Sequence, residues 1–158
     1  YIEELKTYGN PSRDPRNRVI SIAHLGIGPA LDNPSGGSDA SHAEFVPVDD
    51  LNQDYKLAFD HETIVADAID RARSKLEYST LATQFCPPEF TITELRNVYE
   101  TIWGTLLDPG NFQKKILGCK GYVEEVGSTS PTSSTGGRPA KLYKAGPAKM
   151  INLPIRSS

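Results

Sequence analysis

Residues 91–116 read Thr-Ile-Thr-Glu-Leu-Arg-Asn-Val-Tyr-Glu-Thr-Ile-Trp-Gly-Thr-Leu-Leu-Asp-Pro-Gly-Asn-Phe-Gln-Lys-Lys-Ile, a span with two helix starts and a stop between them. Thr91 and Glu94 have capping-box spacing, so the Thr hydroxyl can accept from the third helical amide while Glu94 reaches back. The helix they open puts Leu95, Val98, Tyr99 and Ile102 on one face and is predicted to stop at Gly104. Leu106 and Leu107 are expected to pack under the turn. Asp108-Pro109 starts a second helix, with Asp as N-cap and Pro at the first helical position. Phe112 and Ile116 turn inward together, leaving Lys114 nearly opposite with Asn111 and Gln113 on its flanks. Helix, glycine-containing turn and helix with a polar outer face is the helix-turn-helix layout. Asn, Gln and Lys are the side chains that reach base edges and phosphates in a major groove.

Downstream, Tyr122–Val126 reads as a strand, Gly127–Gly137 as a Ser/Thr/Gly/Pro loop and Pro139–Tyr143 as a returning arm, together a wing. Arg138 and Lys141 on that arm are placed for phosphates or a minor groove. The tail, residues 146–158, carries no pattern and is expected to fray. Taken alone, Lys114 and Lys115 are a solvated helix face. The capped first helix, tight turn, Asp-Pro start and basic hairpin in combination favour nucleic acid. A winged helix used for protein contact stays open as a further reading.

Upstream, Cys86-Pro87-Pro88 marks residues 79–90 as a stiff linker. Before it, Ile2–Tyr8 and the β-branched run Arg18–Ile27 are predicted strands, the second with the density of a buried one. The Gly9–Asn17 segment between them is a turn, and Pro29–Ser41 is a surface loop. Glu44–Val48 is a short strand, placed at an edge or bulge by Pro47. Asp60 then caps a helix with Ile64, Val65, Ala68, Ala72 and Leu76 on one face.

The chain's net charge of −3 hides an asymmetry. Residues 1–90 carry 8 Lys+Arg against 15 Asp+Glu, and residues 91–158 carry 9 against 5. An acidic module joined to a basic one fits a polyanion partner for the second. With 37% apolar and 23% charged residues over 158 positions, a packed core is feasible. No run has the apolar length of a membrane span, and Tyr1-Ile2-Glu3-Glu4-Leu5 lacks the form of a signal peptide. Cys86 and Cys119 are isolated and His24, His42 and His61 are scattered, which argues against a zinc site and for a reducing cytoplasm.

Five segments, in order, carry a resemblance: Tyr8-Gly9-Asn10-Pro11-Ser12-Arg13-Asp14-Pro15-Arg16-Asn17-Arg18-Val19, Leu57-Ala58-Phe59-Asp60-His61, Lys75-Leu76-Glu77-Tyr78, Phe90-Thr91-Ile92-Thr93-Glu94-Leu95 and Gly137-Arg138-Pro139-Ala140-Lys141-Leu142-Tyr143. From Tyr8 to Tyr143 the sequence resembles the Nudix-related transcriptional regulators. The resemblance implies an α+β chain. Its residues 1–78 would be the C-terminal part of a Nudix-like α/β/α sandwich, with a winged helix-turn-helix at 91–145. It further implies a dimeric bacterial repressor that binds an operator duplex, responds to ADP-ribose or a related metabolite, and controls NAD metabolism. The DNA-binding residues would be Asn111, Gln113, Lys114, Lys115, Arg138 and Lys141. Arg13, Arg16 and Arg18 would hold effector phosphates, since guanidinium forks match them. A salt-bridged turn built on Asp14 accounts for these arginines equally well. His61 is an effector contact or, the stronger reading, a solvated first-turn residue.

In one respect the chain departs from the family pattern. The Nudix signature, a helix of spaced carboxylates that binds magnesium for diphosphate hydrolysis, is not in this sequence. Glu124-Glu125-Val126-Gly127 mimics its end, but Lys120, Gly121 and Phe112 stand where its other positions should be. The resemblance places the signature ahead of Tyr1 and implies the C-terminal part of a longer protein. Neither metal nor cofactor is expected here, because hard cations need several convergent oxygens. Asp49-Asp50 reads as a turn. A pyrophosphatase acting on ADP-ribose-type substrates, with its signature upstream, is the alternative.

Overall fold

The computed structural model describes residues 1–29, 31–37, 40–51, 55–130 and 139–151. The chain divides into an N-terminal unit, Tyr1–Ile69, and a C-terminal unit, Asp70–Ser158. In order, the elements are β1 (Ile2–Tyr8), β2 (Ser21–Gly26), α1 (His61–Tyr78), a 3-10 turn (Leu81–Phe85), α2 (Ile92–Trp103), α3 (Pro109–Gly118), β3 (Val123–Thr129) and β4 (Lys141–Ala145). The chain is therefore α+β, as expected.

In the N-terminal unit, β1 and β2 pair antiparallel from Ile2↔Gly26 to Tyr8↔Ser21, with a register shift between Glu4 and Lys6. That shift has a packing consequence. Leu5 and Tyr8 are both buried although three positions apart, and the extra residue at the bulge turns them to the same face. The second strand is shorter than predicted, and its isoleucines are not buried: Ile20 and Ile22 are each 60% exposed. Among the described residues the ladder has two strands, so one edge of β2 stays unpaired. The strand expected at 44–48 does not form. Pro47 has no N–H to give a ladder and its carbonyl accepts from Asp50 N at 3.1 Å in a turn, while Phe45 and Val48 are exposed.

The core lies in the C-terminal unit. Leu76, from the second half of α1, packs with Phe90, Leu95, Tyr99, Phe112, Ile116, Tyr122 and Tyr143. Thr91 and Glu94 form the capping box, with Glu94 N to Thr91 Oγ1 at 3.2 Å and Thr91 N to Glu94 Oε2 at 2.7 Å. Gly104 ends α2 in the left-handed region, at φ 63°. Asp108 caps α3 by accepting from Asn111 N at 2.8 Å, and Pro109 follows it. The wing is β3 against β4, starting from Val123↔Ala145. Residues 131–138, hence Arg138, lie outside the described residues.

Two boundaries differ from the sequence reading. Residues 79–90, expected as a stiff linker, are packed into the C-terminal unit: Leu81, Ala82, Thr83 and Phe90 are buried, and Phe90 exchanges two backbone hydrogen bonds of 2.8 Å with Tyr143. The tail does not begin at Gly146 either. Gly146 N donates to Tyr122 O at 2.8 Å, Ala148 N to Gly121 O at 2.9 Å, and Ile151 N to Tyr78 O at 3.0 Å. Thr80 Oγ1 donates to Ala148 O at 2.7 Å, and Ile151 is buried in the core. Gly146 makes this path possible, because a Cβ there would meet Gly121 O at 2.2 Å. Residues 152–158 lie outside the described set.

Candidate nucleic-acid interface

α3 buries Phe112 and Ile116 and exposes Asn111, Gln113 and Lys114; Lys115 is half-covered. Phe112 packs edge-on against Tyr99, 5.5 Å between ring centres, which fixes α3 on α2. The turn between the helices is held by Glu100, a residue that no sequence motif marks. Glu100 Oε1 accepts from Leu107 N at 2.8 Å and lies 3.3 Å from Arg96 Nε. Both side chains are mostly covered, and Arg96 Nε makes no aligned hydrogen bond, so the ion pair is its compensation. The i,i+4 spacing of Arg96 and Glu100 was the available signal; their coupling to the turn was not. Leu107 packs against the core as expected, whereas Leu106 does not: it is 89% exposed. Leu107 fills the space under the turn, and its amide bond to Glu100 fixes the backbone with Leu106 outward.

The base of the wing joins the helices through a buried hydroxyl pair, Tyr99 and Tyr122, 2.6 Å apart. Burial drives both phenols well above their ordinary range, so neither ionises at physiological pH. Burial also pushes the Cys86 thiol up to about 11 and raises that of Cys119, which leaves both as poor nucleophiles at neutral pH. On the wing, Lys141 Nζ lies 2.8 Å from Glu125 Oε1 and Lys144 Nζ 3.2 Å from Glu124 Oε2. These pairs are exposed, and such pairs contribute about 0–1 kcal/mol, so a phosphate can displace either carboxylate at small cost.

The four residues proposed for an effector gather at one corner of the N-terminal unit. Arg13 is buried; its Nε and Nη2 each reach Asp60 at 2.7 Å, and Nη1 donates to Ser21 Oγ at 2.8 Å. This fork takes the carboxylate expected to cap α1. Arg16 binds Asp14 through Nε at 3.0 Å and Nη2 at 2.8 Å, and its guanidinium lies 4.7 Å from the centre of the Phe59 ring. Its hydrogen bond holds the Asp14 carboxyl at about 2, well below the ordinary range. Arg18 Nη1 donates to Gly9 O at 2.7 Å, and His61 is exposed with its ring edge-on to Phe59. The arginines thus have internal partners, the geometry of a salt-bridged turn. Beside them is a cavity of about 670 Å3 lined by Lys6, Tyr8, Asn10, Arg13, Phe59 and Asp60, among others. Phe59 has a positive φ of 54°, uncommon for a bulky residue. Among the described residues no group of three or more His, Cys, Asp or Glu is placed to hold a metal, and no helix is long and apolar enough to cross a membrane.

Residues 82–145 match the NrtR DNA-binding winged helix domain family. Over 144 residues the sequence is 33% identical to an ADPR responsive transcriptional repressor, NtrR, of Acinetobacter baylyi. The chain is a homologue of the NrtR regulators. That alignment covers 91% of this chain and 56% of the Acinetobacter protein, so the chain spans little more than half of that relative. Shewanella oneidensis NrtR complexed with a 27mer DNA superposes with a TM-score of 0.67 at 26% identity, covering 93% of this chain and 65% of that one. A MutT/nudix family protein from Enterococcus faecalis superposes with a TM-score of 0.60 at 27% identity, over 91% of this chain and 61% of that one. These likenesses give the NrtR-type architecture, a Nudix-like part followed by a winged helix. An ADP-ribose pyrophosphatase of Methanocaldococcus jannaschii is 49% identical over 65 residues, 40% of this chain and 35% of that protein.

Proposed function

We propose that this chain carries the operator-binding domain and part of the effector domain of a transcriptional repressor. Its effector would be ADP-ribose or a related metabolite, its cellular setting a bacterial cytoplasm, and NAD metabolism the regulated process. The observation that carries the reading is the capped, clamped α3, with Asn111, Gln113 and Lys114 exposed on the outer face of a winged helix. In a major groove those three read or flank bases, with Lys115 beside them, while Arg138 and Lys141 bring the wing to the phosphates. A homodimer is expected, because two half-sites are what such helices read in pairs.

Arg13, Arg16, Arg18 and His61 remain proposed effector contacts. Since Arg13 and Arg16 are already paired, they would act by shaping the corner around Phe59, or by exchanging Asp14 for an effector phosphate. Selection of bound duplexes from a random pool, with and without ADP-ribose, tests the whole reading. A two-fold symmetric site lost on adding ADP-ribose supports it. A symmetric site indifferent to ADP-ribose removes that effector, and no enriched site removes the repressor.

The 65-residue match to the Methanocaldococcus pyrophosphatase favours one other reading, a hydrolase of ADP-ribose-type substrates. Magnesium-dependent release of phosphomonoesters from ADP-ribose would support it. The likeness to DNA-bound Shewanella NrtR across 93% of the chain favours the repressor.

A further inference from the structure

Leu106 is the most exposed large hydrophobic side chain among the described residues, at 89%. Its backbone is fixed on both sides. Gly104, in the left-handed region, donates to Glu100 O at 2.9 Å, and Leu107 N donates to Glu100 Oε1 at 2.8 Å. Asp108 then caps α3. An apolar side chain is thus held in water immediately ahead of the N-terminus of the helix that carries Asn111 and Lys114. A lone exposed leucine is ordinary; its place in the fold is what matters here. In helix-turn-helix docking the N-terminal residues of the second helix meet the base edges, and the apolar feature a major groove offers is the thymine C5-methyl group. Burying Leu106 against such a methyl removes apolar surface that folding leaves wet.

We propose that Leu106 contacts a thymine methyl group at the edge of each operator half-site and so adds an apolar element to base discrimination. The proposal rests on the DNA-binding reading above. It places a specificity contact outside α3 itself, in a residue whose removal does not disturb the fold.

The test uses the full chain and the duplexes it enriches from a random pool, with each thymine replaced in turn by deoxyuridine, which lacks only the methyl. The wild type is expected to lose roughly fourfold in affinity at one thymine per half-site, the value of about one buried methyl. Leu106→Ala should bind the unmodified site more weakly by a similar factor, be indifferent to deoxyuridine at that position, and melt at the wild-type temperature. An undiminished deoxyuridine effect in Leu106→Ala would assign the methyl to another residue and overturn the proposal. Loss of affinity for every duplex, without deoxyuridine sensitivity, would make Leu106 a sugar contact and overturn it too. A changed sedimentation coefficient in the variant would make the leucine an interface between copies, which equally overturns the thymine contact. Wild-type affinity in Leu106→Ala refutes the contact while leaving DNA binding intact, whereas failure to enrich any duplex removes the DNA-binding reading itself.

Discussion

Replacing Glu100 by Ala removes the acceptor that shapes the turn between α2 and α3. The Leu107 amide, part-buried and 2.8 Å from Glu100 Oε1, then loses a hydrogen bond to a charged group, a change of about 1.5–3 kcal/mol. Arg96, 3.3 Å away with its side chain 19% exposed, loses its counter-charge; partial solvent access keeps that contribution to about 0.5–1 kcal/mol. Ala gains a few tenths of a kcal/mol in helix propensity. The expected net loss in the C-terminal unit is about 2–4 kcal/mol. Glu100→Gln keeps an acceptor oxygen for Leu107 and should lose only about 1 kcal/mol. Trp103 makes the measurement direct: it is the sole tryptophan of the sequence, it is buried, and its ring centre lies 4.9 Å from that of Tyr99. Urea unfolding followed through its fluorescence gives both free energies. If Glu100→Ala unfolds within about 0.5 kcal/mol of the wild type, the span of an ordinary surface change, the clamp does not operate. Equal losses in the two variants would place the effect in the charge and not in the turn.

Lys114→Ala should weaken binding to the enriched duplex by about 1–3 kcal/mol if the lysine holds a base, with relaxed preference at one position, read by titration across single-base variants. Lys141→Ala should lower affinity on all sequences alike and reduce the slope of log affinity against log salt by about 1. Ile151→Ala should destabilise the C-terminal unit by about 2–5 kcal/mol, measured by the same urea unfolding, because Ile151 is 6% exposed within the core; a wild-type midpoint would free the tail. In the N-terminal unit folding favours ionised Asp14, whose pKa Arg16 lowers from 3.8 to about 2. Its stabilisation is complete above about pH 4 and fades as pH falls towards 2. Protection of the Arg16 amide from exchange, relative to its intrinsic rate, should fall across that window, because its N–H donates to Asp14 Oδ1 at 2.9 Å, and Asp14→Asn should abolish that fall.

What the sequence made legible is what neighbouring residues determine. The capping box at Thr91, the Gly104 stop and the Asp108-Pro109 start each lie within a few positions, and each is found in place. The misread segments depend on distant partners. Residues 79–90 and 146–151 look unstructured because their order comes from bonds such as Thr80 Oγ1 to Ala148 O, 68 positions apart. The β-branched run around β2 suggests burial, but burial depends on whether a second layer covers it, and composition does not encode that. Arg13 reads as an anion binder until Asp60, 47 positions on, takes its fork. Glu100 was hidden for a subtler reason: an i,i+4 ion pair on a helix looks like surface decoration unless the next turn's amide is seen to share it.

The Tyr99–Tyr122 hydroxyl pair constrains how this fold can change over evolutionary time. Replacing either tyrosine by phenylalanine strands the other hydroxyl in the core, at a loss of about 1–3 kcal/mol, whereas replacing both removes the need for a partner and is close to neutral. The single-step intermediates are therefore the disfavoured ones. Lineages descended from such a winged helix should hold two tyrosines or two phenylalanines at these positions and seldom one of each, which makes the pair a marker of shared ancestry that drifts as one character.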